Sequence, residues 1–275
     1  MATIVAAEDW TDLLDKDLSR WDTYLAFRHD SSYRGGAPVD AAGRPIEPIG
    51  YGKDPAGVFT LSRDKGALVL RVSGEIYGCI FTREEFGNYR LKLNVKWGTK
   101  RWPPKTDKLR DSGLLYHSVG PAGVDYWRAW MLSQEFQIME GHMGDYWNIG
   151  NSAIDIRALP PEDGMNAIAN DALPFLPFGS RPSLGGFCLR SEDRESGPGE
   201  WTELELVCFE GKSVHIVNGH VVMVLRNSRL MEAGVPKPLT KGKIQLQSEA
   251  SEIFFTDIRI KPIDSLPTEY EHLFE

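Results

Sequence analysis

Apolar and polar residues alternate with a period of two along most of this chain, and this pattern limits the fold more than any other feature. No segment sustains the 3.6-residue period of an amphipathic helix. Asn218-Gly219 lies between two β-branched segments and is the residue pair that a type I′ hairpin turn requires. The alternating segments are 67–72, 89–97, 135–139, 203–209, 213–218, 220–225, 243–248 and 252–260. We therefore predict an all-β protein.

The arrangement of these segments favours one class of all-β fold. Many short strands joined by hairpin turns are typical of a sandwich of two antiparallel sheets. Residues 98–111 and 158–200 are rich in Pro, Gly and charge and are predicted to be long loops. Loops of this length inside a compact domain are usually functional or mobile. We expect a single domain over residues 1–275, with loops gathered along one face of the sandwich.

Charge and composition exclude several classes of partner. The net charge of −8 argues against binding to nucleic acid or to an anionic membrane, because either partner requires a basic face. The longest aliphatic run, residues 221–225, is far shorter than the roughly 20 residues that cross a bilayer. The first ten residues lack the basic region and apolar length of a signal peptide. The cysteines form no metal-binding or redox motif and are predicted to fill the core; they are Cys79, Cys188 and Cys208.

One stretch, QEFQIMEGHMGDYW at residues 134–147, combines a predicted strand with acid, imidazole and indole groups. On that strand Glu135 and Gln137 share one face, and the apolar residues between them face the other way. A solvated sheet shows the same alternation, but it has no need of further acids and an imidazole directly after the strand. These following residues are Glu140, His142 and Asp145. We predict that the strand delivers Glu135 and Gln137 into a groove.

The order of the predicted strands resembles that of the 3-keto-disaccharide hydrolase domain family. The likeness is carried by IFTREEFGN followed by YRLKLNVKW, then DSGLLYHSVG, EFQIMEG, EWTELELVCFEGKSVHIVNGHVVMVL and KIQLQSEASEIFFTDIRIKPI. The opening LLDKDLSRW, which includes Trp21, is also similar, and the likeness covers residues 9–263. It implies a concanavalin A-like jelly-roll fold and hydrolysis of 3-keto-glycosides. It also favours a carbohydrate substrate and a periplasmic or secreted location, and it leaves the oligomeric state open.

Cleavage of a 3-keto-glycoside does not require the closely spaced pair of carboxylates that an ordinary retaining glycosidase uses. The ketone acidifies the hydrogen on C2, so a single base can remove it, after which the enolate expels the C1 oxygen and water adds. This route needs a base, a group that stabilises the enolate oxygen and an acid for the leaving group. We assign Glu135 as the base and His142 or Glu140 as the acid. Glu140, His142 and Asp145 are also candidate ligands of a divalent metal, with a hydrogen-bonded loop as the alternative.

An ordinary retaining glycosidase is the second hypothesis. The pattern Glu135-x-Gln137-x-x-Glu140 is similar to the E-x-D-x-x-E strand of concanavalin A-like endoglucanases, in which both Glu residues are catalytic. Retaining chemistry requires carboxyl groups about 5–5.5 Å apart, whereas five residues of regular strand span about 17 Å. A bulge would have to bring the two acids together. Gln137 also lacks the negative charge of the central Asp, so this hypothesis ranks below the first.

Two further segments contain candidate substrate-binding residues. Tyr116 and His117 end the segment DSGLLYH. The aromatic segment YWRAW contains Tyr126, Trp127 and Trp130, one of which is a candidate platform for a sugar ring, and we select Trp130. For each of these residues a structural role in the core or at a strand end is the alternative. His215 and His220 flank the predicted hairpin turn and are expected at the surface.

Two more predicted strands present polar faces. Gln245 and Gln247 share a face, and neutral amides suit sugar hydroxyls because they both donate and accept hydrogen bonds. Arg90 and Lys92 lie on the polar face of another strand, where a cation inside a groove would stabilise an enolate. A solvated sheet face is the alternative for all four residues.

A further hypothesis assigns the chain to a different functional class, a non-catalytic carbohydrate-binding module with the same fold. Catalysis requires Glu135, Gln137, a histidine and the strand of Gln245 and Gln247 around one deep pocket. Binding requires only a shallow aromatic shelf, so the convergence of these side chains discriminates the two hypotheses.

Overall fold

The computed structural model describes residues 10–124 and 129–275, which form twenty strands and two short helices. The strands are β1 Thr11–Asp12, β2 Trp21–Leu25, β3 Gly50–Tyr51, β4 Phe59–Asp64, β5 Ala67–Val72, β6 Gly78–Thr82, β7 Tyr89–Arg101, β8 Asp111–Val119, β9 Leu132–Met139, β10 Tyr146–Ile149, β11 Ser152–Leu159, β12 Ile168–Ala169, β13 Phe175–Gly179, β14 Phe187–Cys188, β15 Thr202–Phe209, β16 Lys212–Val217, β17 His220–Glu232, β18 Val235–Pro238, β19 Lys243–Ser248 and β20 Ser251–Pro262. The α-helix α1 spans Thr268–Glu271, and a 3₁₀ turn spans His272–Phe274. The described part of the chain contains no helix with the length and apolarity needed to cross a lipid bilayer.

The strands form two antiparallel sheets. The larger sheet has the order β12-β11-β17-β16-β15-β7-β20-β5-β4, with β1, β13 and β18 paired to β20, β11 and β17. The smaller sheet has the order β14-β10-β9-β8-β19-β6-β2-β3. A shared apolar core contains residues of both sheets, so the two pack face to face. This is a concanavalin A-like jelly-roll sandwich, and the predicted fold class is confirmed.

Period-two alternation places one face of the smaller sheet in the shared core. On β9, Phe136 and Ile138 are fully buried in that core, while Glu135 and Gln137 lie on the opposite face. Burying an aromatic or aliphatic side chain of this size stabilises the fold by about 1.5–3 kcal/mol relative to leaving it exposed. The cysteines are buried as predicted; they are Cys79, Cys188 and Cys208.

Strand positions agree with the sequence pattern more closely than strand lengths do. β5 and β19 coincide with their predicted segments, whereas β7 continues to Arg101 and β17 to Glu232. β7 pairs with both β15 and β20, so its hydrogen-bonded ladder extends beyond the apolar alternation. The predicted loop 158–200 contains the short strands β12, β13 and β14. Asn218 and Gly219 have φ of 48° and 76°, as a type I′ turn requires.

His215 lies in the core, so the prediction of a surface position is wrong for this residue, whereas His220 is exposed. The ring of His215 stacks on Phe136 with 4.3 Å between centroids. Its Nδ1 donates to the carbonyl oxygen of Gly144 at 3.1 Å, and its Nε2 accepts from the hydroxyl of Tyr116 at 3.2 Å. β16 turns His215 inward, so hairpin proximity alone does not determine exposure. Burial lowers the pKa of His215 to about 3.

Protonation of His215 opposes folding, and we expect stability to fall in acid partly for this reason. A histidine with a lowered folded-state pKa stabilises the fold above its unfolded pKa of 6.5 and loses that contribution as the pH falls towards about 3. The variant His215→Gln retains one donor and one acceptor but does not titrate. It should reduce the slope of unfolding free energy against pH, between about pH 6 and pH 4, by about 1.4 kcal/mol per pH unit.

Urea unfolding at a series of pH values measures this slope. His220→Gln is the matched control, because it removes an exposed histidine next to the same hairpin. Identical slopes for the wild type and His215→Gln would contradict the account.

Candidate active site

A cavity of about 270 Å³ opens on the face of the smaller sheet that points away from the shared core. Adjacent strands β19, β8, β9 and β10 contribute most of its surface. Its lining residues are Asp111, Trp130, Glu135, Gln137, Met139, Trp147, Asn148, Ile149, Gln247 and Glu249. A concave site with a few converging polar groups is the usual form of a small-ligand site.

Cross-strand register determines which side chains meet in the cavity. Gln137 of β9 pairs with Gly113 of β8, and Glu135 pairs with Leu115 on one side and with Trp147 of β10 on the other. Residues directly opposite each other on antiparallel strands project to the same face. The register therefore brings Glu135, Gln137 and Trp147 to one surface.

Gly113 leaves room for two polar side chains above the sheet. A Cβ atom at this position would lie 2.3 Å from Oε1 of Glu135 and 2.4 Å from Oε1 of Gln247. The Glu135 carboxylate and the Gln247 amide therefore meet above a glycine that no larger residue can replace without displacing them. Oε1 of Gln247 is buried and accepts no hydrogen bond from the described residues. A ligand that donates a hydrogen bond there would satisfy it.

A lysine links two carboxylates at one end of the cavity. Nζ of Lys105 lies 2.6 Å from Oδ2 of Asp111 and 2.6 Å from Oε1 of Glu249. Oδ1 of Asp111 accepts a hydrogen bond from Nε2 of Gln137 at 3.0 Å. The side chain of Lys105 is only 17% exposed, and that of Glu249 only 6%. Part of the predicted loop 98–111 thus delivers a cation to the cavity, and the four residues form one continuous polar network.

The charge balance of this network affects Glu249. Burial raises the pKa of Glu249 to about 7, with the negative charge of Asp111 adding to the increase and Lys105 opposing it. Burial also raises the pKa of the Tyr33 phenol; the negative charge of Glu249 adds to this increase and Lys105 opposes it. A carboxyl group that exchanges its proton near neutral pH is suited to acid–base chemistry.

Aromatic side chains form the other walls. Trp147 is 42% exposed at the rim, and its ring centroid lies 4.5 Å from that of Phe187. Trp130 is fully buried and lies nearly parallel to Tyr77, with 6.3 Å between centroids. An exposed indole beside polar groups provides a surface on which a sugar ring can stack.

Four of the residues predicted from the sequence line this cavity. They are Glu135, Gln137, Trp130 and Gln247. Gln245 is fully buried instead, where its Oε1 accepts from the backbone N–H of Met131 at 3.1 Å and its Nε2 donates to the hydroxyl of Ser118 at 2.8 Å. It therefore orders the backbone next to Trp130. The preceding part of the segment YWRAW, residues 126–128, lies outside the described residues.

The predicted acids Glu140 and His142 do not reach the cavity. β9 ends at Met139, and a turn in which Gly141 has a φ of 71° redirects the chain. The carboxylate of Glu140 is bound by Arg101 and Arg110, each at 3.1 Å. These residues were grouped with Glu135 because they directly follow its strand, but the sequence does not define the direction in which the turn leads the chain.

The three candidate metal ligands have other partners. Nδ1 of His142 lies 3.0 Å from Oδ2 of Asp145, and Oδ1 of Asp145 lies 3.1 Å from Arg190. Glu140 is held by arginines at a different place. Within residues 10–124 and 129–275, no group of three or more His, Cys, Asp or Glu side chains is arranged to hold a metal ion.

Four predicted substrate-binding residues lie elsewhere. Tyr116 and His117 are buried on the core side of β8, because Tyr116 alternates with Leu115 and a bulge with a φ of 52° turns His117 inward. Burial lowers the pKa of His117 to about 4. Arg90 and Lys92 belong to the larger sheet, so they are remote from the cavity. They pair with the carboxylate of Glu205 at 2.6 Å and 3.2 Å.

Several cavity residues were missed by reasoning from the sequence. Glu249 continues the period of two set by Gln245 and Gln247, so that signal was sufficient to find it. Asp111 begins the segment DSGLLYH, and extending β8 by its alternation would have included it. Lys105 lies in a Pro-rich loop without periodicity, and no local signal indicates its position.

Comparison with known proteins identifies one family. The sequence profile of the 3-keto-alpha-glucoside-1,2-lyase-like domain matches residues 9–261. Among proteins with curated descriptions, no sequence matches the chain.

Similar solved structures include two candidate glycosyl hydrolases from Parabacteroides distasonis. Each is 19% identical to this chain, with TM-scores of 0.48 and 0.47; the matches cover 93% and 94% of this chain and 100% and 95% of theirs. A carbohydrate-binding module from Bacillus subtilis is 9% identical, with a TM-score of 0.39, and the match covers 74% of this chain and 91% of the module.

The ammonium of Lys105 compensates two buried carboxylates, so its removal should destabilise the protein. Leaving buried charges without their partner typically costs about 3–5 kcal/mol. We expect Lys105→Met to lower the unfolding free energy by about this amount at pH 8 and by less at pH 5, where Glu249 takes up a proton. Urea unfolding at both pH values tests this.

The matched control is Lys108→Met in the same loop, which removes an exposed lysine and should change stability by about 0.5 kcal/mol or less. A loss for Lys105→Met that is equal at both pH values would contradict the assigned role of Glu249.

Proposed function

Because this chain belongs to the family of 3-keto-alpha-glucoside-1,2-lyase-like domains, we propose that it cleaves the glycosidic bond of 3-keto-glucosides by elimination followed by hydration. The observation that carries the proposal is the meeting of a buried carboxylate, Glu135, with an unsatisfied amide oxygen of Gln247 above Gly113 in one cavity. The cavity thus combines a candidate base with a group that recognises a hydroxyl.

In the proposed reaction Glu135 removes the proton from C2, which the adjacent C3 ketone acidifies. The electrons of the C2–H bond form the enolate, and its collapse breaks the bond between C1 and the glycosidic oxygen. The leaving oxygen takes up a proton, and a double bond remains between C1 and C2. Water then adds its oxygen to C1 and a proton returns to C2, so one water is consumed and 3-keto-glucose and an alcohol are released.

The surroundings of Glu135 suit this chemistry. The residue is 4% exposed, so bulk water is largely excluded from the base and from a bound enolate. Hydrogen-bond donors stabilise charge that develops on the C3 oxygen. Gln137 and Gln247 line the cavity, and their amide N–H groups are the candidate donors.

An ordinary retaining glycosidase fits the geometry less well. That mechanism requires a second carboxyl group about 5–5.5 Å from the first. Glu140, the second acid of the sequence pattern, is bound by Arg101 and Arg110 and does not line the cavity. The other carboxyl groups of the cavity, those of Asp111 and Glu249, are both bound by Lys105. The elimination route requires no such pair.

A carbohydrate-binding module is the second candidate, and the exposed Trp147 beside Phe187 favours it. Such a module would use this aromatic shelf. It would give no role to the buried network of Lys105, Asp111 and Glu249, which costs desolvation free energy. Binding of 3-keto-glucosides without turnover would select this second function.

Replacing Glu135 by Gln tests the proposed base. The neutral isostere keeps the shape of the side chain, so we expect the wild type to cleave a 3-keto-glucoside and Glu135→Gln to do so at least about 10²-fold more slowly. The unoxidised glucoside should not be cleaved by either protein. Product formation followed by chromatography provides the measurement.

Glu195→Gln is the matched control, because Glu195 is another partly buried glutamate that does not line the cavity. Its rate should equal that of the wild type. Full activity of Glu135→Gln would exclude Glu135 as the base.

Gly113→Ala should damage the site without removing any functional group. The added methyl group would overlap the carboxylate of Glu135 and the amide of Gln247, which must therefore move. We expect a fall in kcat/KM of about 10²-fold, because small displacements of a catalytic group have effects of this size. Gly36→Ala is the control, since a Cβ atom at Gly36 meets no atom within 4 Å. Unchanged kinetics of Gly113→Ala would contradict the proposed position of Glu135.

A further inference from the structure

The proposed elimination requires an acid for the leaving oxygen, and neither Glu140 nor His142 lines the cavity. We infer that Glu249 donates this proton and that Lys105 and Asp111 hold the Glu249 side chain in position. The inference rests on the proposed function and assigns a second catalytic residue to the same cavity.

Glu249 has the accessibility that this role requires. It lines the cavity, yet only 4% of the residue is exposed. Its Oε1 is fixed by Nζ of Lys105 at 2.6 Å. This contact anchors the carboxyl group on a cavity wall that a ligand can reach.

The register of the smaller sheet separates Glu249 from Glu135. β19 pairs with β8 so that Gln245 faces Leu115 and Leu246 faces Leu114, and continuing this register brings Glu249 next to Asp111. Glu135 faces Leu115, four residues from Asp111, but its Oε1 lies above Gly113, which is only two residues, or roughly 7 Å along the strand, from Asp111. The two glutamates thus approach the cavity from different ends. A substrate between them would present C2 to Glu135 and the leaving oxygen on C1 to Glu249.

The network has one more carboxylate than it has cations. Asp111 and Glu249 share the ammonium of Lys105, and Asp111 also accepts from the amide of Gln137. The charges of Glu249 and Lys105 also act on the phenol of Tyr33. An excess negative charge in a buried site favours protonation of one acid. Asp111 accepts hydrogen bonds from both Lys105 and Gln137, whereas Glu249 accepts from Lys105. This difference favours Glu249 as the group that holds the proton, in agreement with its raised pKa.

Leaving groups of different basicity separate the roles of the two glutamates. A nitrophenolate departs without protonation, whereas an alkoxide requires an acid. We expect Glu249→Gln to cleave 4-nitrophenyl 3-keto-glucoside within about threefold of the wild-type rate and methyl 3-keto-glucoside at least about 10²-fold more slowly. Glu135→Gln should be slow on both substrates, and Glu195→Gln should match the wild type on both.

The outcomes are distinguishable. Equal losses of Glu249→Gln on the two substrates, or no loss on the methyl glycoside, would overturn the assignment of Glu249. A wild type that cleaves neither substrate would overturn the proposed function, and this inference with it.

A second variant keeps the test valid if Glu249→Gln folds poorly. Asp111→Asn removes a negative charge that raises the pKa of Glu249, so the decline in methyl glycoside cleavage at high pH should begin at lower pH than in the wild type. An unchanged pH profile in this variant would also overturn the assignment.

Discussion

The cross-strand register of β19, β8, β9 and β10 determines the position of the functional side chains that these strands carry. That register is fixed by the shared core, because a shift of one residue would turn Phe136 and Ile138 out of the sandwich and Glu135 and Gln137 into it. The same pairing sets Gly113 beneath the carboxylate of Glu135. Stability and the proposed function therefore depend on opposite faces of the same strands.

The cavity contains buried charged side chains, although apolar side chains at the same positions would make the fold more stable. Lys105, Asp111 and Glu249 are largely withdrawn from water, and a buried ion network rarely stabilises a protein relative to apolar residues of the same volume. Groups with shifted pKa values in a cleft are typical of catalytic sites. In the proposed elimination, Glu135 over Gly113 is the base at C2 and Glu249 at this end is the acid for the C1 oxygen.

The sequence predicted the fold and the central strand of the site, because both follow from period-two alternation. Glu135, Gln137 and Gln247 were found in this way. Glu140 and His142 were misplaced, since a turn stabilised by contacts distant in sequence redirects them. Arg90 and Lys92 have the positive charge that an enolate requires, but they belong to the larger sheet. The alternation of apolar and polar residues predicts a strand without indicating which sheet that strand joins. Lys105 depends on the path of a loop that only the folded chain defines.

The proposed reaction begins when Glu135 removes the proton from C2 of a 3-keto sugar. Exchange of the C2 hydrogen for deuterium in D₂O isolates this step, because it requires no leaving group and no hydration. NMR of a 3-keto-glucoside that has no cleavable bond at C1, such as a 1-deoxy analogue, would follow it. The account predicts exchange with the wild type and with Glu249→Gln, and loss of exchange with Glu135→Gln. Exchange at the wild-type rate with Glu135→Gln would contradict it.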